Sequence, residues 1–195
     1  MTVPAGRDDY VEHMSDSEVV ASIVAGNPEG LAAAYDKYAG DLYGYCQSLL
    51  RDPNDAADAV QDTFVIAASK LGGLRDPERL RAWLFAILRN LHIDAYRQAR
   101  RRGTEVEIDE VDHRETATRQ EAALEARDVL AALEQLPEEQ KSLLLLIGVE
   151  DFSYEEAARI LGVPIGTVMS RLSRARQRLR SIVERGPVAL LRRVK

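Results

Sequence analysis

The stretch 153–180 most constrains what this chain can fold into, because it has the pattern of two short helices joined by a glycine turn. Ser153 and Glu156 form a capping box, S-x-x-E, which marks the start of a helix. Gly162 is the residue type that ends a helix, and Pro164 suits the first position of the next one. Together these signals predict a helix-turn-helix.

The second helix of this unit is predicted to have two different faces. Its buried face consists of apolar residues at steps of four, three and four, namely Val168, Leu172, Ala175 and Leu179. Hydroxyl and arginine side chains point elsewhere, among them Thr167, Ser170, Arg171, Arg174, Arg176 and Arg178. No acidic residue lies between Thr167 and Ile182. A cationic, hydroxyl-rich second helix suits a DNA major groove, whereas the alternative is a surface helix that arginines keep soluble.

Composition favours an all-α protein without a disulfide framework. With 195 residues, 46% of them hydrophobic, the chain can build one large or two small cores. Its single cysteine, Cys46, lies on an apolar helical stretch and is interpreted as a small buried hydrophobe. No apolar run reaches membrane-spanning length and the polar N-terminus does not resemble a signal peptide, so we expect a cytoplasmic protein without membrane insertion.

Charge is unevenly distributed along this acidic chain, whose net charge is −6. Arginines cluster at 97–102 and again at 171–180, and the stretch between these clusters is rich in Asp and Glu from Glu105 to Glu115. Phosphate neutralisation supplies most non-specific DNA binding, so nearby acidic residues would weaken it. The pattern predicts a protein that needs a partner to hold it on DNA.

Helix signals divide the chain into two predicted domains. The segment 1–26 contains a short helix that begins at a second capping box, Ser15 and Glu18, and stops at Gly26. Residues 27–102 form the first predicted domain, in which Pro28, Pro53 and Pro77 mark the starts of further predicted helices. An acidic linker at 103–121 leads to a second domain at 122–184, and 185–195 form a tail. The predicted fold is therefore all-α, with two small helical domains joined by a flexible linker.

The predicted helix from Pro53 to Leu71 has an apolar face and an acidic face. Val60, Phe64, Ala67 and Leu71 share the apolar face, and the other face carries Asp55, Asp58, Gln61, Asp62 and Val65. Taken alone, the acidic row favours a solvated surface, and the alternative is a docking face for a basic partner. A metal-dependent hydrolase would need converging ligands that this row lacks, so we expect no metal, no cofactor and no enzymatic activity.

The predicted helix from Pro77 to Arg101 also has two faces. Its core stripe consists of Leu80, Leu84, Leu88, Leu91 and Ala95, with Trp83 expected to be buried beside it. Another face interleaves aromatic, polar and basic residues, namely Phe85, Arg89, Asn90, Ile93, Tyr96, Arg97 and Arg100. Because arginine can follow phosphates while aromatic rings stack on unpaired bases, this face predicts contact with single-stranded nucleic acid.

The combination of these segments resembles a bacterial alternative sigma factor of the extracytoplasmic-function (ECF) group in the sigma-70 family. The resemblance covers roughly 31–102 and 131–183. It rests on DAADAVQDTF at 55–64, RAWLFAILRNL at 81–91 and GVPIGTVMSRLSRAR at 162–176, in this order.

The resemblance implies partners and a role for each face. Core RNA polymerase would be bound through its β′ clamp helices and β flap, the former contacting Asp55, Asp58, Gln61, Asp62 and Val65. The region 74–102 would melt the −10 promoter element, with contacts from Arg89, Asn90, Tyr96, Arg97 and Arg100. The helix-turn-helix would read the −35 element through Thr167, Ser170, Arg171, Arg174 and Arg176. An anti-sigma protein is a further implied partner. The alternative is a free-standing helix-turn-helix regulator.

Overall fold

A computed structural model describes residues 14–50, 52–101 and 129–185, including all side chains in these ranges except those of 92–101 and 185. Every regular element in these ranges is helical. The α-helices are α1 (Asp16–Val24), α2 (Pro28–Leu49), α3 (Pro53–Lys70), α4 (Leu80–Arg101), α5 (Glu138–Gly148), α6 (Tyr154–Leu161) and α7 (Ile165–Arg185), and residues 129–133 form a further short helical stretch. The all-α prediction is confirmed.

Helices α1 and α2 form a close antiparallel hairpin. The predicted capping box is present: Ser15 Oγ accepts a hydrogen bond from Glu18 N at 3.3 Å, and the Glu18 carboxylate accepts one from Ser15 N at 2.8 Å. A Cβ atom at Gly30 would lie 2.7 Å from the backbone nitrogen of Ile23, so this crossing requires glycine. As a result α1 packs into the core of the first domain and does not stand apart from it.

The first core lies between α2, α3 and α4 and uses most of the predicted apolar stripes. Its buried members include Tyr38, Leu42, Tyr45, Leu49, Val60, Phe64, Ala67, Leu71, Leu80, Leu84 and Leu88. Cys46 is fully buried, and burial raises the pKa of its thiol to about 12, as suits a small hydrophobe. Tyr35 is exposed while its ring packs on Phe64, and Trp83, which was expected to be buried, is only half-buried.

The connection between α3 and α4 consists of two 3₁₀ turns, Leu71–Gly73 and Pro77–Arg79. The long helix predicted to begin at Pro77 therefore begins as a 3₁₀ turn and becomes α-helical at Leu80. The turn positions α4 so that its leucine stripe faces α2 and α3.

The second group of helices comprises 129–133, α5, α6 and α7, and it has the predicted helix-turn-helix at its centre. Its buried residues include Leu136, Leu143, Leu146, Ala157, Ile160, Leu161, Val168, Leu172 and Ala175. The apolar stripe predicted for the second helix of the helix-turn-helix is confirmed, apart from Leu179, which is half-buried.

The two groups of helices are in direct contact, which the sequence did not predict. Helix α4 packs on α6 and α2 packs on α5, so the buried apolar residues form one continuous cluster. The expectation that Phe85 faces nucleic acid is wrong, because its ring is fully buried against Phe152 of the second group. The proposed linker at 103–121, residues 1–13 and the tail after 185 lie outside the described residues.

Loss of the second helix cap should measurably destabilise the fold. We expect Ser153→Ala to lower the free energy of unfolding by about 1 kcal/mol, because the amide of Glu156 loses its acceptor at the start of α6. Urea unfolding followed by circular dichroism would measure this. A matched control is Ser181→Ala, whose hydroxyl only donates to the carbonyl of Arg178 within its own helix.

The effect of this cap should also depend on pH. Hydrogen bonds from Ser153 hold the pKa of Glu156 below its usual 4.5. A carboxyl group whose pKa is lowered by folding stabilises the folded protein at pH values above its pKa in the unfolded chain. This contribution is lost as the pH falls through the lowered pKa of the folded state. The difference between the wild-type protein and Ser153→Ala should therefore shrink below about pH 4.5. A difference that stays constant down to pH 3 would contradict a contribution of the Glu156 carboxylate to this cap.

Candidate nucleic-acid and polymerase interfaces

The turn between α6 and α7 has the geometry of a helix-turn-helix. Ser153 Oγ accepts a hydrogen bond from Glu156 N at 3.2 Å, and the Glu156 carboxylate accepts one from Ser153 N at 2.8 Å. Gly162 ends α6 with a left-handed backbone, φ 63°, which costs glycine little. Pro164 directly precedes α7, and its carbonyl accepts a hydrogen bond from Thr167 N at 2.8 Å. The local sequence thus explains where α6 ends, how the chain turns and where α7 begins.

Helix α7 buries one side against α5 and α6 and leaves the opposite side open. Ser170, Arg174 and Arg176 are exposed, and Thr167 is half-buried. Ser170 Oγ donates to the carbonyl of Thr167 at 3.1 Å, and Arg174 Nε donates to the carbonyl of Ser170 at 3.2 Å. These bonds direct both side chains along the exposed surface of the helix.

Arg171 differs from its neighbours because it already has a carboxylate partner. Its Nη1 lies 3.0 Å from Glu139 Oε2 of α5, and its side chain is 28% exposed. Arg171 therefore lies on the flank of α7 that faces α5, at the edge of the open side. An exposed pair of this kind contributes on the order of 1 kcal/mol or less, so exchange of Glu139 for a DNA group is energetically feasible.

Two polar residues on the open side of α7 were missed by the sequence analysis. Ser173 and Gln177 are both exposed, and they follow Ser170 and Arg174 at a spacing of three. Residues three or four apart share one helix face, so extending the series 170, 174 to its helical neighbours would have found them.

The acidic side of α3 is exposed along its length. Asp55, Asp58, Gln61 and Asp62 are all exposed, and the side chain of Val65 is 70% exposed. Val65 thus places one apolar side chain among the carboxylates of this face.

Of the five residues on α4 expected to contact the −10 element, two have described side chains. Asn90 is exposed and Arg89 is half-buried. Tyr96, Arg97 and Arg100 belong to the part of α4 whose side chains are not described.

Arg81 joins the two groups of helices at the start of α4. Its Nη2 lies 2.7 Å from Glu150 Oε2 and 3.1 Å from Asp41 Oδ2, while its Nη1 donates to the carbonyl of Glu150 at 2.9 Å. The guanidinium also lies 4.4 Å from the ring centre of Phe152 and 5.1 Å from that of Phe85. Sequence reasoning missed this role, because its partners lie about 40 and 70 positions away along the chain.

Two further observations concern the described residues. They contain no group of three His, Cys, Asp or Glu residues placed to hold a metal ion. The α-helices of these ranges are also too short or too polar to cross a membrane.

Two family descriptions match this chain, in the order in which the two groups of helices occur. Sigma-70 region 2 matches residues 34–102, and Sigma-70, region 4 matches residues 126–179. The first match spans the acidic helix α3 and the helix α4, and the second contains the helix-turn-helix. Together they define a transcription initiation factor of the sigma-70 type.

Individual relatives identify the group of sigma factors to which this chain belongs. The ECF RNA polymerase sigma factor EcfG of Rhodopseudomonas palustris is 37% identical over 142 residues, which are 73% of this chain and 78% of the relative. The ECF RNA polymerase sigma factor SigM of Mycobacterium tuberculosis is 32% identical over 165 residues, 85% of this chain and 83% of the relative. The chain belongs to the ECF RNA polymerase sigma factors. It is an alternative sigma factor that directs transcription initiation, and a free-standing regulator is excluded.

Solved structures share the fold. The sigma factor RpoE, in complex with the anti-sigma factor NepR from Bartonella quintana, is 33% identical with a TM-score of 0.61, and covers 74% of this chain and 91% of its own. CnrH, in complex with the cytosolic domain of CnrY, is 28% identical with a TM-score of 0.67, and covers 88% of this chain and 98% of its own.

Proposed function

We propose that this sigma factor binds core RNA polymerase with α3, melts the −10 element with α4 and reads the −35 element with α7. The observation that carries the proposal is the simultaneous exposure of two faces of opposite charge, the acidic side of α3 and the basic side of α7. An acidic face suits a basic protein partner, whereas a basic face with hydroxyl groups suits a DNA groove.

The proposed functional units are 27–102 for polymerase docking and −10 melting, and 122–184 for −35 reading, with 103–121 as the connection between them. The segment 1–26 precedes the first unit and 185–195 follow the second. The two family matches lie within the proposed units, which supports these boundaries.

The protein itself is proposed to catalyse no reaction and to act in the cytoplasm. Its contribution is promoter choice and strand separation, while polymerase performs the chemistry. The polymerase would hold both units on the promoter, so modest DNA affinity of an acidic chain is sufficient when tethering raises its effective concentration.

An anti-sigma protein is also a proposed partner. The relative RpoE forms a complex with the anti-sigma factor NepR, and it covers 74% of this chain at 33% identity. Binding of such a protein to the α3 or α7 faces would compete with polymerase or promoter DNA.

Transcription of fragmented genomic DNA tests the proposed function most directly. Core polymerase with the purified protein should initiate at discrete sites, and the 5′ ends of the transcripts should share two upstream sequence motifs. Core polymerase alone is the control. Absence of specific starts, together with absence of polymerase binding, would contradict the proposal.

Loss of Arg171 should weaken −35 recognition. If its guanidinium pairs with a base edge, Arg171→Ala should cost about 1–3 kcal/mol of discrimination at one position of the element. Glu139→Gln should have a smaller effect in the opposite direction, because it releases Arg171 from its carboxylate. Selection of promoters from a randomised −35 library measures both, with Lys37→Ala of the first group as a control. Unchanged preference in Arg171→Ala would remove Arg171 from the reading face.

Two substitutions in the first group should separate polymerase binding from promoter melting. Asp62→Arg reverses a charge on the exposed face of α3 and should impair co-purification with core polymerase. Asn90→Ala should leave polymerase binding intact but reduce permanganate reactivity of thymines in the −10 element, since the proposed −10 contact loses a polar group that could hold a base flipped out of the duplex. Normal co-purification of Asp62→Arg, or equal melting by Asn90→Ala, would contradict the respective assignment.

A further inference from the structure

Helix α1 precedes the part of the chain that matches Sigma-70 region 2, which begins at residue 34. It packs on α2 and also on both 3₁₀ turns of the connection between α3 and α4. This connection comprises residues 71–79, and from residue 74 onwards it belongs to the region proposed above to melt the −10 element. Helix α1 therefore contacts the proposed −10 region although it lies before the family match.

Both ends of α1 are fixed on α2. At its start, Asp16 Oδ1 accepts hydrogen bonds from the hydroxyl of Tyr38 and from Lys37 Nζ, the latter at 2.7 Å. At its end, the backbone of Ile23 lies so close to Gly30 that a Cβ atom there would have no room. Because α1 is held at both ends, the side that it turns towards the connection is a fixed surface.

This fixed surface meets the connection at Ser17 and Val20. Ser17 Oγ donates a long hydrogen bond of 3.5 Å to Glu78 Oε1, which places the start of α1 beside the second turn. Val20 is buried and follows Ser17 by three positions, so the two residues share one side of the helix. Val19 is also buried, but it precedes Ser22 by three positions and shares the side of α1 that faces α2.

The internal bonds of the connection shape its turns but do not attach it to a neighbouring helix. Leu74 N donates to the carbonyl of Leu71 at 2.9 Å, and Arg79 N donates to that of Asp76 at 3.1 Å. Arg79 and Asp76 also form an ion pair at 2.7 Å. The position of the connection on the first group of helices therefore depends on the burial of Leu71 and on the packing against α1.

The outer side of the connection is open. Gly72, Gly73 and Arg75 are exposed, and at either glycine no described atom beyond its chain neighbours lies within 4 Å of the position of a Cβ. A DNA strand can approach the backbone closely at such a place, next to a guanidinium group that suits phosphate. One side of the connection thus rests on the protein while the other is accessible to DNA.

We propose that α1 is a positioning element for promoter melting, which holds the connection between α3 and α4 where it meets the separated −10 strand. This inference rests on the function proposed above. Ser17 and Val20 act through the connection and do not themselves touch DNA. Weaker packing lowers the fraction of molecules whose connection is correctly placed, so it slows opening of the −10 element without changing the exposed faces of α3 and α7.

Two valine substitutions on α1 test the packing in the free protein. Val20→Ala removes two carbon atoms on the side of the connection, and Val19→Ala removes the same two atoms on the side of α2. Amide hydrogen exchange over 71–79 should be faster in Val20→Ala than in Val19→Ala, when the variants are compared at urea concentrations that give both the same free energy of unfolding. Equal exchange in this segment would overturn the assignment of α1.

Promoter opening by the polymerase complex tests the consequence. Val20→Ala should bind core polymerase like the wild type but form the open complex roughly 3- to 10-fold more slowly, whereas Val19→Ala should stay within about 2-fold of the wild type. Permanganate reactivity of the −10 thymines over time measures these rates. Equal slowing in both variants, or wild-type opening by Val20→Ala, would overturn the proposal.

A surface substitution replaces Val20→Ala if that variant does not fold. Ser17→Glu places a second carboxylate beside Glu78, while negative charge in the first turn stabilises α1 itself. It should slow opening, and adding Glu78→Lys should restore the rate because the pair becomes attractive. Glu78→Lys alone completes the double-mutant cycle and corrects for the charge that it adds near DNA. Additive effects in this cycle would contradict the contact.

Failure of the proposed function has a different signature. It would show as a wild-type protein that binds no polymerase and opens no promoter, whereas failure of the α1 proposal leaves wild-type opening intact and removes only the difference between the two valine variants.

Discussion

Burial of one apolar stripe on each helix orients the proposed functional faces of this sigma factor. Val60, Phe64 and Ala67 face the core, so the carboxylates of Asp58 and Asp62 on the same helix must face solvent. In α7 the burial of Val168 and Leu172 likewise leaves Ser170 and Arg174 on the open side. A helix cannot rotate to hide its charged side without exposing its apolar side, so packing free energy also fixes the direction in which the charged side faces.

The contact between the two groups adds a constraint that the separate helices lack. Arg81 bonds to both Asp41 of its own group and Glu150 of the other, and it lies over two phenyl rings. Charged groups that are partly removed from water need such partners, which makes their arrangement specific. The same contact fixes how α4 and α6 lie relative to each other.

Sequence analysis succeeded where the signal is local. Both capping boxes, the left-handed Gly162 and the apolar stripes depend on residues within about four positions of each other, so periodicity identifies them. The exposure of the acidic residues of α3 follows from the same periodicity. Phe85 was misassigned because periodicity places it beside the α4 stripe without showing what approaches from another part of the chain. The partner of Arg171 was missed for the same reason, since Glu139 lies 32 positions earlier and on another helix.

The amino-acid sequence by itself determined the helices, their caps, their two-sided character and, through three short motifs, the family. Only the tertiary structure decided that the two groups share one buried cluster and that Arg81, Glu150, Phe85 and Phe152 meet. Helix formation depends on neighbours along the chain, whose spacing is printed in the sequence. Contacts between groups depend on shape and charge at positions brought together by folding, and no spacing rule relates Arg81 to Glu150, which lies 69 positions away.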